Sequence, residues 1–540
     1  MIIKASRAFM TASVAPPGVP RHPLILEMRT MRRERFEGQS VLHAFTGLTF
    51  RSKWRRSLVF LLRCLAMSEP AFDIPAAAEN GRPATIVARE SGLHRNLTPV
   101  QLAMLGLGST IGTGLFLGSA IAVKLAGPAV ILSFVAGALI ALPMMWALAE
   151  MAAAHPTAGS FGLYAEIYLN PWAGFAIRLT YWLCMMVVVG SEVVAAAIYC
   201  KLWFPKTPAW IWIGLFSLLI LYVNTIHIGN LGTFEYWLSM VKIVTILAFL
   251  LLGSALLFGI GFPKVGFPNY TAYRGFMPNG WKGVGLGVIL GLFSFFGIEV
   301  VGSTAGEAAN PKEAVPKALR NTVTALVLFY VAGLALVVGI VPWTQIDMGE
   351  SPFVRVFQKV GIPSARNAMN FVVLTAALSS AVANLYFAAR LAFSLARGGY
   401  LPAILGRLNK KDMPMIAVLA SGGGMVAAMI LSKYFQDSLF VFMIGLSSFG
   451  ALLAWLMTLL THLAFRRHHQ RRSKPYLQLG PAGPWASLAG LAAILAVMVS
   501  TWWVPGFRIM LLAGVPWLTV LTVCYFVWRR NDPRTSGPGE

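Results

Sequence analysis

Gly106-Leu-Gly-Ser-Thr-Ile-Gly-Thr-Gly114 lies at the centre of one apolar run, and Ser294-Phe-Phe-Gly-Ile-Glu299 lies at the centre of another. Each interrupts a segment that hydrophobicity alone would make a continuous membrane helix. In hydrocarbon, unpaired backbone N–H and C=O groups cost several kcal/mol each, so irregular backbone persists only where it is buried in protein or lines a wet cavity. A matched pair of interruptions is the strongest sequence sign of a secondary transporter with a site near the bilayer midplane. Half-helix N-termini attract anions there and half-helix C-termini attract cations, so a zwitterion such as an amino acid satisfies both.

Composition fixes the class around these breaks. Of 540 residues, 57% are hydrophobic and 12% charged, and mean hydropathy is +0.69, a balance foreign to a water-soluble domain of this length. The chain reads as an all-α polytopic membrane protein with about twelve spans, the first at 100–122 and 128–154 and the last at 509–528. A net charge of +24 would suggest a nucleic-acid binder in a soluble protein. Here the basic residues lie largely in tails and short loops, so no nucleic-acid partner is expected. Cys64, Cys184, Cys200 and Cys524 have no metal-ligand or redox spacing and read as packing residues.

An even number of spans places both termini on one side. The basic clusters Arg397, Arg407, Lys410 and Lys411, then Arg466, Arg467, Arg471, Arg472 and Lys474, then Arg529, Arg530 and Arg534 all fall on that side. By the positive-inside rule it is cytoplasmic. Residues 1–66 stand apart, with ten arginines and two lysines against three glutamates. They read as a basic extension, either upstream of a true start at Met67 or a tail that touches anionic lipid or serves targeting. The expected division continues with a cytoplasmic tail at 67–98, a first repeat at 99–260, a second at 281–466, two further spans within 484–530 and a tail at 531–540.

Gly106, Gly108, Gly112 and Gly114 each weaken a helix by about 1 kcal/mol relative to alanine. They also let a ligand approach the backbone. A carboxylate could then sit on the freed N–H groups beside Ser109, Thr110 and Thr113. The competing reading is a close helix-helix contact, since small residues four apart also allow that. Glu299 falls inside an apolar run, where a carboxylate costs at least ~2.5–3.5 kcal/mol on insertion scales and is a functional candidate by default. Lys242, in Met240-Val-Lys-Ile-Val-Thr-Ile246, and Glu192, in Val189-Gly-Ser-Glu-Val193, are two further charges within spans. For Glu192, substrate recognition and helix pairing remain equal alternatives.

The run Gly108-Ser-Thr-Ile-Gly-Thr-Gly-Leu-Phe-Leu-Gly118, the break Phe295-Phe-Gly-Ile-Glu299, and Ala305-Gly-Glu-Ala-Ala-Asn-Pro311 followed by Pro316-Lys-Ala-Leu-Arg320 resemble bacterial amino acid permeases of the amino acid-polyamine-organocation superfamily. The resemblance extends from about residue 95 to the C-terminus. It implies the leucine-transporter fold, with spans one to five and six to ten as inverted repeats, and proton-coupled symport in the bacterial plasma membrane. It implies that Thr110, Thr113 and Gly114 contact substrate, that Phe293 and Phe296 line the pocket, and that carbonyls from Phe293 to Phe296 receive the ammonium. It also puts Lys242 where sodium-coupled relatives hold an ion between spans one and eight. Ser379 and Ser380 keep a sodium reading open. The asparagine of span eight, Asn384, is displaced from its usual place after the serine, so substrate inference from that helix is withheld.

The expected function is uptake of a neutral amino acid, with Ser109, Thr110, Gly112, Thr113, Gly114, Phe293, Phe296 and Glu299 at the substrate and Lys242, Glu299 and Glu192 coupling the proton. No cofactor or metal is called for. A channel filter, a Walker loop and an intramembrane catalytic cluster are not found in the sequence. His468 and His469 are placed in the basic loop. Sodium coupling, a cationic substrate and a nutrient receptor on a transporter scaffold are the remaining alternatives.

Overall fold

The computed structural model describes residues 97–530, apart from 158, 226–227, 309, 348, 359–363, 411–412, 436–437, 471–482 and 505. The expected extension at 1–66, most of the tail at 67–98 and the tail at 531–540 lie outside the described residues, as does Cys64. Among the described residues, seventeen helices follow in chain order. They are α1 (Pro99–Thr110), α2 (Ser119–Ala126), α3 (Val130–Ala154), α4 (Ser160–Tyr168), α5 (Pro171–Cys200), α6 (Ala209–Val223), α7 (Ile228–Phe258), α8 (Gly280–Phe295) and α9 (Val300–Ser303). The rest are α10 (Pro311–Ile340), α11 (Pro352–Gln358), α12 (Ala365–Arg397), α13 (Met415–Ser421), α14 (Gly423–Leu431), α15 (Leu439–Gln470), α16 (Gly483–Ser500) and α17 (Arg508–Arg530). The all-α polytopic class read from the sequence holds.

Among the described residues, nine helical runs are long and apolar enough to cross a bilayer, against about twelve expected. One of them, Pro99–Ala154, is 56 residues long and contains the first two expected spans. At ~1.5 Å per residue a straight helix of that length would reach ~84 Å, far beyond the ~30 Å hydrocarbon core. It is broken after Thr110 and again at Gly127-Pro128, where Gly127 takes φ +62°. Two further expected spans are shorter apolar helices, Ala209–Asn224 and Met415–Leu431.

Helix starts follow local chemistry. Thr98 and Gln101 form a reciprocal capping box, with Pro99 in the first turn. The Asn170 side chain accepts from the N–H of Ala173 at 2.8 Å and starts α5, again with proline first. At the other end, α15 continues to Gln470. Arg466 and His468, expected in a loop, are therefore helical: the polar last turns are held by packing against α3, α4 and α16 rather than by their own hydropathy.

α5 forms the centre, packed against α12, α15, α14 and α4, while α3 carries α8 and α10. α1 lies between α7, α10 and α12. In the most apolar window of Gly280–Gly302, 89% of residues are buried inside the protein, against 22% in Arg508–Val527. The second break therefore lies in the core, whereas α17 is peripheral. Exposed side chains on the outer helices, such as Leu139, Leu218, Leu251 and Val520, present the apolar face that lipid would cover.

Candidate functional site

The first break opens when Ile111 leaves helical geometry at φ −79° and ψ 84°. The Gly112 N–H bonds to Thr110 O at 3.0 Å, and a wide π-type turn over Gly114–Gly118 leads into α2. The second break begins at Phe296, which is extended at φ −63° and ψ 143°, and continues through Gly297 at φ +101°. A side chain at Gly297 would be strained, because that backbone region is tolerated by glycine.

The two breaks touch. Ser109 Oγ donates to Gly297 O at 2.7 Å, and Tyr330 of α10 brings its hydroxyl within 3.1 Å of Thr110 O and 2.9 Å of Ser294 O. A Cβ at Gly114 would lie 2.9 Å from the Ser294 Cα, so here glycine permits backbone approach. At Gly112 a Cβ would instead meet Ser380 Oγ at 2.5 Å and Glu192 Oε1 at 2.8 Å. The close-packing reading thus describes Gly114, while Gly112 makes room for polar side chains.

Those side chains hold carbonyls and N–H groups that the first break frees. Glu192 Oε2 accepts from the Thr113 N–H at 3.3 Å, and its Oε1 accepts from Ser380 Oγ at 3.0 Å. Ser380 Oγ also lies 2.8 Å from Ser109 O, which the Asn384 amide approaches at 3.4 Å. A carboxylate therefore sits on a freed N–H group, and it belongs to Glu192. Thr110 turns its own hydroxyl back to Gly106 O at 2.7 Å.

Lys242 reaches the same helix from α7, its Nζ donating to Gly108 O at 2.7 Å. It is 1% exposed, which rules out a snorkelling ammonium. Glu299 accepts from the Gly297 N–H at 3.2 Å and from the Tyr181 hydroxyl of α5. Phe293 and Phe296 meet edge to face at 5.8 Å, and Phe296 meets Trp455 of α15 at 5.1 Å. The ten residues expected at the site fall in one buried neighbourhood: Ser109, Thr110, Gly112, Thr113, Gly114, Glu192, Phe293, Phe296 and Glu299, with Lys242 against its α1 edge.

Sequence reasoning missed Glu235, Tyr330, Tyr181 and Trp455. Glu235 is fully buried on α7 and accepts from Ser379 Oγ at 2.8 Å. Its signal was a carboxylate seven residues before Lys242, on the same helical face. The tyrosines and tryptophan carried a weaker signal, a polar handle within an apolar run that needs a partner when buried.

Residues 101–536 match the family described as amino acid permease. An uncharacterised amino acid permease of Bacillus subtilis, YtnA, is 37% identical over 80% of this chain and 95% of its own length. The gamma-aminobutyric acid permease of the same organism is 35% identical over 82% of this chain and 95% of its own. The aromatic amino acid transport protein AroP of Escherichia coli K12 is 34% identical over 80% and 95%. With its broken apolar helices and near-complete match to these relatives, the chain belongs to the amino acid permease family.

Proposed function

We propose that this chain is a secondary active transporter that takes up a neutral amino acid with a proton by alternating access. The observation that carries the reading is the direct contact of the two helix breaks, Ser109 Oγ to Gly297 O, amid buried ionisable groups. The broken helices are the first members of two inverted repeats, spans one to five and six to ten, of a leucine-transporter fold, and rocking about them exposes the site to each side in turn. Substrate carboxylate displaces the Glu192 side chain from the Thr113 N–H and binds at the Gly112–Gly114 backbone, and the ammonium binds the carbonyls that end α8 near Phe293 and Phe296. Glu192 and Glu299 take part in proton exchange. Their neutral hydrogen-bond partners allow either to hold a proton without breaking an ion pair.

Lys242 supports proton over sodium coupling. Its ammonium supplies a cation beside α1, and the Ser379 and Ser380 hydroxyls already serve Glu235, Glu192 and Ser109 O. One proton moving down 100 mV releases ~2.3 kcal/mol. Tenfold accumulation costs ~1.4 kcal/mol, so the potential alone supports a gradient approaching ~50-fold. The aromatic trio Phe293, Phe296 and Trp455 favours a substrate with an uncharged side chain. By the positive-inside rule, the basic clusters support a multi-pass protein of the bacterial plasma membrane with both termini on the cytoplasmic side.

The test is uptake of labelled L-amino acids and γ-aminobutyrate into proteoliposomes containing the full chain, with an inward proton gradient. Accumulation abolished by a protonophore is expected. Uptake that requires sodium would overturn the coupling, and binding without accumulation would make the protein a receptor.

A further inference from the structure

Glu235 and Lys242 share one face of α7, and each is incompletely partnered. Glu235 Oε2 accepts from Ser379, while its buried Oε1 has no hydrogen-bond partner. Lys242 spends one of its three donors on Gly108 O. Both groups converge on Gly108: a Cβ there would stand 2.7 Å from Glu235 Oε2 and 2.8 Å from Ser239 Oγ. Helical side chains lean toward the N-terminus of their helix, so Lys242 leans toward Glu235. Glu192 of α5 is the other charged group at this place, and it binds Ser380 and the Thr113 N–H. Polar walls come from Ser379 and Ser380 of α12, from Ser239 of α7, whose hydroxyl donates to Met104 O at 2.8 Å, and from the Met104 and Gly108 carbonyls of α1.

The geometry points to Glu235 as the second seat of the Lys242 ammonium, occupied when α1 moves and withdraws the Gly108 carbonyl. This role rests on the proton-coupled reading above. Once seated, the ammonium gives its proton to the Glu235 carboxylate: an N–H bond breaks, an O–H bond forms, and the N–H electron pair stays on nitrogen. The products are a neutral amine and a neutral acid, and no further reactant is needed. Glu235 is thus a positioning and proton-accepting residue that ties the lysine's charge to the place of α1. A ligand's influence on that movement reaches the proton through one two-state element.

Glu235→Gln keeps the size and an acceptor for Ser379 but cannot take the proton. It is tested in proteoliposomes with the same labelled L-amino acids and γ-aminobutyrate, by gradient-driven accumulation, by exchange without a gradient, and across external pH. Loss of accumulation by about tenfold or more is expected, with exchange within about threefold of wild type and a flattened pH profile. Glu235→Asp should recover a substantial part of accumulation and of the pH dependence. Glu235→Gln accumulating as wild type does would overturn the assignment while leaving proton symport standing. Accumulation and exchange falling together, without recovery by aspartate, would make Glu235 a packing residue. If wild type exchanges amino acids but does not accumulate them under a proton gradient, proton coupling falls and this role falls with it.

Discussion

Buried charge is arranged differently at the edge of the helix bundle and at its centre. At the edge, Glu150 of α3 is held by His462 Nε2 at 2.9 Å and by Arg466 at 2.9 and 3.1 Å, and His462 Nδ1 meets Ser487 Oγ of α16 at 2.8 Å. Toward the N-terminal end of the central α5, Arg178 pairs with Glu166 of α4, bonds Ser394 Oγ and Gly174 O at 2.9 Å each, and has the Tyr400 ring 5.5 Å away. At the centre, Lys242 holds one carbonyl and Glu235 one hydroxyl, while Glu192 and Glu299 lean on neutral donors. Ions paired with opposite charges and several donors lock elements together; ions with one or two neutral partners can change charge or partner at smaller cost. The edge clusters therefore read as fasteners, and the centre as the moving part.

Four substitutions set that contrast at risk. The largest effect is expected from Arg466→Met, which leaves the Glu150 carboxylate without its guanidinium. Thermal unfolding should show a loss of about 3–5 kcal/mol, while protein that survives keeps its proton dependence. Lys242→Met should do the reverse, cutting accumulation about a hundredfold, equivalent to ~2.7 kcal/mol, with the fold retained. Equal loss of folding in both would erase the distinction.

Smaller changes sharpen it. Gly297→Ala forces a side chain onto φ +101° with its Cβ 3.0 Å from Ser109 O, and should cost about 1–3 kcal/mol of stability along with transport. Ser109→Ala removes the hydroxyl that joins the breaks and should cost about 0.5–1.5 kcal/mol, seen as a several-fold fall in uptake. A Ser109→Ala protein indistinguishable from wild type would mean that the breaks meet without depending on that bond.

The breaks were legible because glycine density and an intramembrane glutamate are local signals. What surrounds them was not. Glu150 and His462 are separated by 312 positions, and nothing in either neighbourhood announces the other. Arg466 and His468 looked like loop residues because hydropathy falls where α15 nonetheless continues. Glu235 lies near the start of its apolar run and resembles an interfacial charge until folding buries it completely. Tyr330 reads as one more aromatic in a span, although its hydroxyl reaches both breaks. Position along a run reveals where a helix can cross; partnership across runs depends on packing.

The central claim is that substrate binds at the paired breaks, and amino-acid-induced thermal stabilisation tests it directly. Labelled uptake identifies the amino acid, which is then added at about 100 times its dissociation constant, where binding alone contributes ~2.7 kcal/mol. Wild type and Arg466→Met should both gain this stabilisation, the latter from a lower starting point, whereas Gly112→Ala, whose Cβ would push against Ser380 and Glu192, should gain almost none. Full stabilisation of Gly112→Ala would contradict the placement of the site.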